Sequence, residues 1–112
     1  MIIKTDDYLV DSSELNFTKI TGSMRLPSPL SYDNPFSPIK MGIEESTDIY
    51  ELDVTGLEYL NSSGITSLAR LIIFARKEDK SIRLRINGDI PWQKRSLMSL
   101  KTLWEKLIIV ST

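Results

Sequence analysis

Two segments in which apolar and charged residues alternate constrain the fold of this chain more than any other feature. Residues 50–54 read Tyr-Glu-Leu-Asp-Val, and residues 82–86 read Ile-Arg-Leu-Arg-Ile. A period of two is typical of a β-strand with one buried face. Between the segments, about a dozen residues from Ile65 onward have the periodicity of an amphipathic helix. We therefore predict a strand-helix-strand unit with parallel strands and a right-handed crossover.

The charged residues of the two strands predict how the sheet is covered. Strands buried on both faces are apolar throughout, so alternation indicates that helices pack mainly on one face. If the strands are neighbours, Glu51 and Asp53 face Arg83 and Arg85 across the sheet. Such residues form solvated cross-strand ion pairs or, less commonly, a paired-carboxylate site, and the ion-pair interpretation is favoured.

The rest of the chain supplies further elements. We expect a hairpin of Tyr8–Val10 and Asn16–Leu26, followed by a proline-rich segment, Pro27–Pro38. A short helix is expected from Ser37–Pro38 to Glu45, because proline suits the first helical position. Asn87-Gly88 predicts a turn. After it we expect a helix from Pro91 that contains Leu97, Leu100, Leu103, Trp104 and Leu107, and then an edge strand, Ile108–Val110.

These elements predict an α/β fold with an open mixed sheet, helices packed mainly on one face and an N-terminal β-hairpin. At 112 residues the chain is long enough for one core, so residues 1–112 are expected to form a single domain. Trp104 shares the stripe of Leu97 and Leu100, which predicts a core position for it, whereas Trp92 suits either packing or a partner contact.

Composition excludes several classes of function. The chain has no cysteine and no histidine, which removes disulfides, thiol chemistry, His-based zinc sites and His-dependent triads. The net charge of −1, without a basic stripe, argues against nucleic-acid binding. No apolar window approaches 18 residues, and the N-terminus lacks a secretory pattern. We expect a cytoplasmic protein without metal, cofactor or membrane contact, and the oligomeric state is left open.

The tetrapeptide Asn61-Ser62-Ser63-Gly64 joins the first strand to the helix. The first turn of a helix carries free N–H groups and a partial positive charge, so a phosphate on Ser63 is tolerated there. The alternative interpretation is plain capping, because serine and asparagine are common N-cap residues.

The stretch from Leu52 to Ile65 resembles the signature of STAS domains, the family of sulphate-transporter tails and bacterial anti-sigma factor antagonists. The resemblance covers residues 48–110. Within the family, a subgroup of small stand-alone bacterial STAS-like regulators is similar to this chain at Leu60–Ile65, Ile90-Pro91-Trp92-Gln93 and Ser96-Leu97. The first 47 residues match in element order. The family's motif is Asp-Ser-Ser-Gly or Asp-Ser-Ala-Gly, and this chain departs from it by having Asn61 in place of the aspartate.

The resemblance implies partner switching, a form of signal transduction that regulates transcription. In it, a serine kinase that is also an anti-sigma factor phosphorylates the antagonist, and a serine phosphatase reverses the modification. The motif places the phosphorylated residue at Ser63, with Ser62 as its neighbour. The expected protein is non-enzymatic and has no catalytic residues.

A polar stripe along the helix is the candidate partner-binding surface. Counting 100° per residue from Ser63, the stripe contains Thr66, Ser67, Arg70, Phe74 and Lys77. An aromatic residue there is a candidate anchor for a partner. The alternatives are that another part of the chain covers Phe74 or that it is a singly exposed apolar residue.

Three hypotheses follow for function. The first is the phosphorylation-controlled interaction module. The second is a constitutive scaffold or small-ligand sensor in which the serines only cap the helix, and a cavity beneath the proline-rich segment would favour it. The third, an enzyme with a serine nucleophile and a lysine base, lacks a Ser-x-x-Lys pair beside the motif.

Overall fold

The computed structural model describes residues 1–112, which form six strands and three α-helices. The strands are β1 (Ile2–Lys4), β2 (Tyr8–Asp11), β3 (Phe17–Met24), β4 (Tyr50–Leu60), β5 (Ile82–Ile86) and β6 (Leu107–Ser111). The helices are α1 (Asp33–Glu45), α2 (Ser62–Lys77) and α3 (Pro91–Leu97). A 3₁₀ turn, Pro29–Tyr32, precedes α1, and a second, Met98–Leu103, follows α3.

All six strands form one mixed sheet whose spatial order is the order of the sequence. The strands β1, β2 and β3 pair antiparallel, whereas β3 to β6 are parallel neighbours. Parallel crossovers are almost always right-handed, so three successive crossovers in the same direction place their helices on the same face of the sheet. The predicted α/β class, the strand-helix-strand unit and the hairpin of β2 and β3 are therefore confirmed, while the short strand β1 was not predicted.

The helix-free face of the sheet carries the predicted cross-strand charges. Glu51 lies opposite Arg83 in the register, and Asp53 lies opposite Arg85. The Glu51 carboxylate is 3.3 Å from both guanidinium groups, so it serves both arginines. Asp53 instead accepts hydrogen bonds from the backbone N–H and hydroxyl of Thr55, at 2.9 and 2.7 Å. The preferred ion-pair interpretation is confirmed for Glu51.

The start of α1 differs from the prediction. The helix begins at Asp33 rather than at Ser37–Pro38, so Pro38 lies inside it. Proline has no N–H for the carbonyl of Asn34 four residues earlier. The Ser37 hydroxyl donates to that carbonyl at 2.8 Å, which satisfies the acceptor and lets the helix continue.

The last predicted helix is shorter than expected. Helix α3 ends at Leu97, the 3₁₀ turn extends to Leu103, and Leu107 begins β6 rather than ending the helix. The predicted edge strand is confirmed by β6. Trp104 is half-buried against the core, and its Nε1–H donates to the Lys80 carbonyl at 2.8 Å.

Gln93 on α3 fixes the end of β4 that leads to the β4–α2 junction. Its side chain is fully buried, and its Nε2 donates to the carbonyls of Val54 and Leu57 at 2.7 and 2.8 Å. Its Oε1 accepts from the Asn87 N–H at 2.7 Å. One amide thus ties α3 to both β4 and the turn after β5.

No helix in this structure combines the length and the apolar character needed to cross a membrane.

Candidate functional site at the β4–α2 junction

The junction between β4 and α2 is capped by Asn61. Its backbone is extended, and its Oδ1 accepts from the Gly64 N–H at 3.0 Å, as an N-cap side chain does. Helix α2 therefore begins at Ser62, three residues before the predicted position near Ile65. The start of the helix is defined by an asparagine rather than by either serine.

The Asn61 side chain also joins the helix start to the segment before α1. The Tyr32 hydroxyl donates to Asn61 Oδ1 at 2.6 Å, and Asn61 Nδ2 donates to the Leu26 carbonyl at 2.8 Å. The Leu26 N–H in turn donates to the Tyr32 hydroxyl at 3.3 Å. Burial of Tyr32 raises the pKa of its phenol, so the hydroxyl keeps the proton that it donates.

This network has a requirement at position 61 that asparagine meets and aspartate does not. The Leu26 carbonyl is an acceptor and needs a donor, which the Asn61 amide nitrogen supplies and an ionised aspartate lacks. The residue at position 61 is thus fitted to a partner 35 residues away in the chain.

Gly64 lets the proline-rich segment pack closely on the helix start. A Cβ at this position would overlap the Leu60 side chain and lie 2.9 Å from Cζ of Tyr32. Both neighbours are buried, so neither moves aside freely. The glycine of the motif is required here by close packing.

Ser62 and Ser63 occupy the first turn of α2 without capping it. Ser62 is exposed and Ser63 is half-buried. Neither hydroxyl makes a hydrogen bond, because Asn61 does the capping. In this first turn the Gly64 N–H is taken up by Asn61 Oδ1, whereas the N–H groups of Ser62 and Ser63 make no hydrogen bond within the protein.

The predicted stripe on α2 is only partly exposed. Thr66, Arg70 and Lys77 are exposed, but Ser67 is 7% exposed and donates its hydroxyl to the Pro29 carbonyl at 3.2 Å. Ser67 thus holds the 3₁₀ turn against α2 rather than facing a partner. Phe74 is half-buried and packs on the core, with the Lys40 Nζ of α1 5.0 Å from its ring centroid.

A groove of about 420 Å³ separates α1 from α2. It combines three residues of the stripe with a wall that α1 and the preceding turn supply. Its lining is Tyr32, Asp33, Phe36, Ser37, Lys40, Met41, Ser67, Arg70, Leu71 and Phe74.

The sequence prediction did not include the α1 side of this groove, and Tyr32, Asp33 and Phe36 of that side lie before the predicted helix start. It also did not identify Leu30 as an exposed apolar residue near the start of α2. Leu30 is 74% exposed and lies on the 3₁₀ turn that Ser67 holds. The periodicity of Tyr32, Phe36 and Ile39 was the available signal, but the prolines among these residues obscured it.

The structure contains no group of three or more acidic, histidine or cysteine side chains that could hold a metal ion. A scan against protein-family models and a search of curated proteins find no match to this chain.

Proposed function

We propose that this protein is a non-enzymatic, cytoplasmic regulator that acts through phosphorylation-controlled protein interaction, as a STAS-like anti-sigma factor antagonist does. Ser63 is the modified residue, a serine kinase that is also an anti-sigma factor is the partner, and a serine phosphatase restores the unmodified form. The observation that carries the proposal is the pair of unbonded serine hydroxyls in the first turn of α2.

The geometry supports a role for the serines beyond capping. A serine that caps a helix has its oxygen bonded to a backbone N–H, and here Asn61 occupies that place. The serines are therefore not needed as caps, which supports a different role for them. Both hydroxyls are free of hydrogen bonds to the protein, and Ser62 is the more exposed of the two.

A phosphate at Ser63 changes the surface rather than the fold. It adds about −1.5 to −2 charges, which the helix N-terminus stabilises. Thr66 and Arg70 on the same stripe of α2, and Leu30 on the turn that Ser67 holds, are exposed. A partner that desolvates this surface meets an extra dianion, and docking is lost without unfolding.

The test compares protein carrying phosphoserine at position 63, installed during synthesis, with unmodified protein and with protein carrying phosphoserine at position 62. Partners are crosslinked to the unmodified protein in its own cells, while each form of the protein is added in turn as a competitor. Mass spectrometry then measures how much crosslinked partner remains. We expect the position-63 phosphoprotein to compete poorly and Ser63→Ala to compete fully. Equal competition by all forms, or absence of phosphate from Ser63 in those cells, contradicts the proposal.

The groove between α1 and α2 favours a second candidate, a small-ligand sensor, because Tyr32, Asp33, Phe36 and Ser37 of the proline-rich segment line it. Its volume is within the range of about 300–1,000 Å³ typical of ligand sites. A thermal-shift screen of metabolites, repeated with Phe36→Ala, tests this candidate. Stabilisation that the variant abolishes supports a sensor, whereas the absence of any shift opposes it.

A further inference from the structure

We infer that the groove between α1 and α2 docks an acidic segment of a partner protein that carries an apolar anchor residue. The inference deepens the proposed function by stating the partner's chemistry, and it rests on that function for the claim that docking is regulated. Docking in the groove can be measured on the unmodified protein, so it is tested separately from the modification of Ser63.

The floor of the groove suits an apolar anchor. Phe36 and Leu71 are buried at its base, and Phe74 forms a half-buried wall. Met41 on the rim is 54% exposed and offers a flexible apolar surface. Recesses of this kind take the aromatic or aliphatic side chains that dominate the energetics of protein interfaces.

The charges at the rim of the groove select an acidic partner. Lys40 and Arg70 both line the groove, and neither has an ion-pair partner or a hydrogen bond in the structure. By contrast, Arg83, Arg85 and Lys106 are all paired with carboxylates. Two unpaired cations beside an apolar floor are complementary to carboxylates on both sides of an anchor.

The acidic group at the rim does not cancel this positive charge. Asp33 is the one carboxylate that lines the groove, and it lies in the first turn of α1, where the helix dipole stabilises it. It lies beyond ion-pair distance of Lys40 and Arg70, since the structure contains no such pair.

The extent of the positive surface indicates a protein segment rather than a small anion. Helix α2 contains Arg70, Arg76 and Lys77 and no acidic residue. Arg70 and Lys77 lie on one stripe, seven residues and thus about 10 Å apart along the helix axis. A single carboxylate cannot reach both cations, whereas a chain segment with several carboxylates can.

The experiment is selection of random 12-residue displayed peptides on the full-length protein. From the peptides that bind the wild type, those that also bind a variant protein with both groove charges reversed, Lys40→Glu with Arg70→Glu, are removed. The matched control is Lys94→Glu with Arg95→Glu, which reverses two exposed, unpaired cations on α3 and changes the net charge equally. Circular dichroism and thermal unfolding verify that both variants fold.

We expect the enriched peptides to share an apolar residue flanked by aspartate or glutamate. Their affinity should fall about tenfold or more on the groove variant and stay within about twofold on the control. Neutral or basic consensus peptides, equal loss on both variants, or no enrichment overturns the inference. A dimer in sedimentation that the groove variant lacks also overturns it, because a second copy would then occupy the groove.

The two proposals fail separately. In one outcome, acidic peptides bind the groove but phosphoserine at position 63 leaves partner competition unchanged. This outcome preserves the inference about the groove and refutes the switch. The reverse result refutes the groove as the docking site and preserves the switch.

Discussion

Replacing Asn61 by aspartate tests whether the network around the helix cap is fixed as the structure indicates. The substitution keeps the acceptor for the Gly64 N–H and for the Tyr32 hydroxyl. It replaces the amide that donates to the Leu26 carbonyl at 2.8 Å by a second acceptor. Two oxygens then face each other in a part-buried position.

The magnitude follows from two opposing effects. Leaving a part-buried carbonyl without its donor costs about 1–3 kcal/mol. A negative charge at a helix N-terminus stabilises the folded state by about 0.3–1 kcal/mol. We expect Asn61→Asp to lower the free energy of unfolding by about 1–2 kcal/mol at pH 7, although aspartate is otherwise as good an N-cap as asparagine. For a domain of this size the melting temperature should fall by about 4–8 °C.

The assay is urea unfolding of the wild type, Asn61→Asp and the control Ser62→Asp. The control adds the same charge one residue later, at an exposed position that does not contact Leu26. It should be neutral or slightly stabilising. The deficit of Asn61→Asp should also shrink below about pH 4, near the ordinary pKa of an aspartate, because the protonated carboxyl can donate to the Leu26 carbonyl. Equal or greater stability of Asn61→Asp at pH 7 would refute the network.

Three further predictions concern the parts that hold the junction. Gln93→Leu should destabilise the protein by about 3 kcal/mol in urea unfolding, because the buried carbonyls of Val54 and Leu57 and the part-buried Asn87 N–H lose their hydrogen bonds. The exposed Lys94→Ala should change little. Gly64→Ala should lower the melting temperature, because overlap of the added Cβ with Leu60 and Tyr32 costs more than the advantage of about 1 kcal/mol that alanine has over glycine in a helix. A higher melting temperature of the variant would show that the packing relaxes. Burial raises the pKa of Tyr50, so the free energy of unfolding should decline as the pH rises above about 10, the ordinary tyrosine value. Tyr50→Phe should flatten that decline while costing about 1 kcal/mol at pH 7 through loss of the Thr18 hydrogen bond, and an unchanged pH profile would contradict the assignment.

Much of the fold is predictable from local periodicity. Alternation in residues 50–54 and 82–86 identified β4 and β5 and the side of the sheet that helices cover. The alternating charges also placed Glu51 opposite the arginines, because register and side-chain period together decide which residues meet. The start of α1 was missed, since its prolines argue locally against a helix that the Ser37 hydroxyl and tertiary packing stabilise.

The candidate site divides in the same way between local and distant contacts. The sequence by itself determined that a strand ends at Leu60 and that a helix follows soon after the two serines, whereas the structure showed that the helix begins at Ser62. Only the tertiary structure decided that Asn61 caps the helix with help from Tyr32, 29 residues away, and that Ser67 is buried beneath the proline-rich segment. Periodicity records which face of an element is apolar, but it carries no information on which distant segment packs on that face. The free hydroxyls and the groove both depend on that packing, so they follow from the fold and not from the motif.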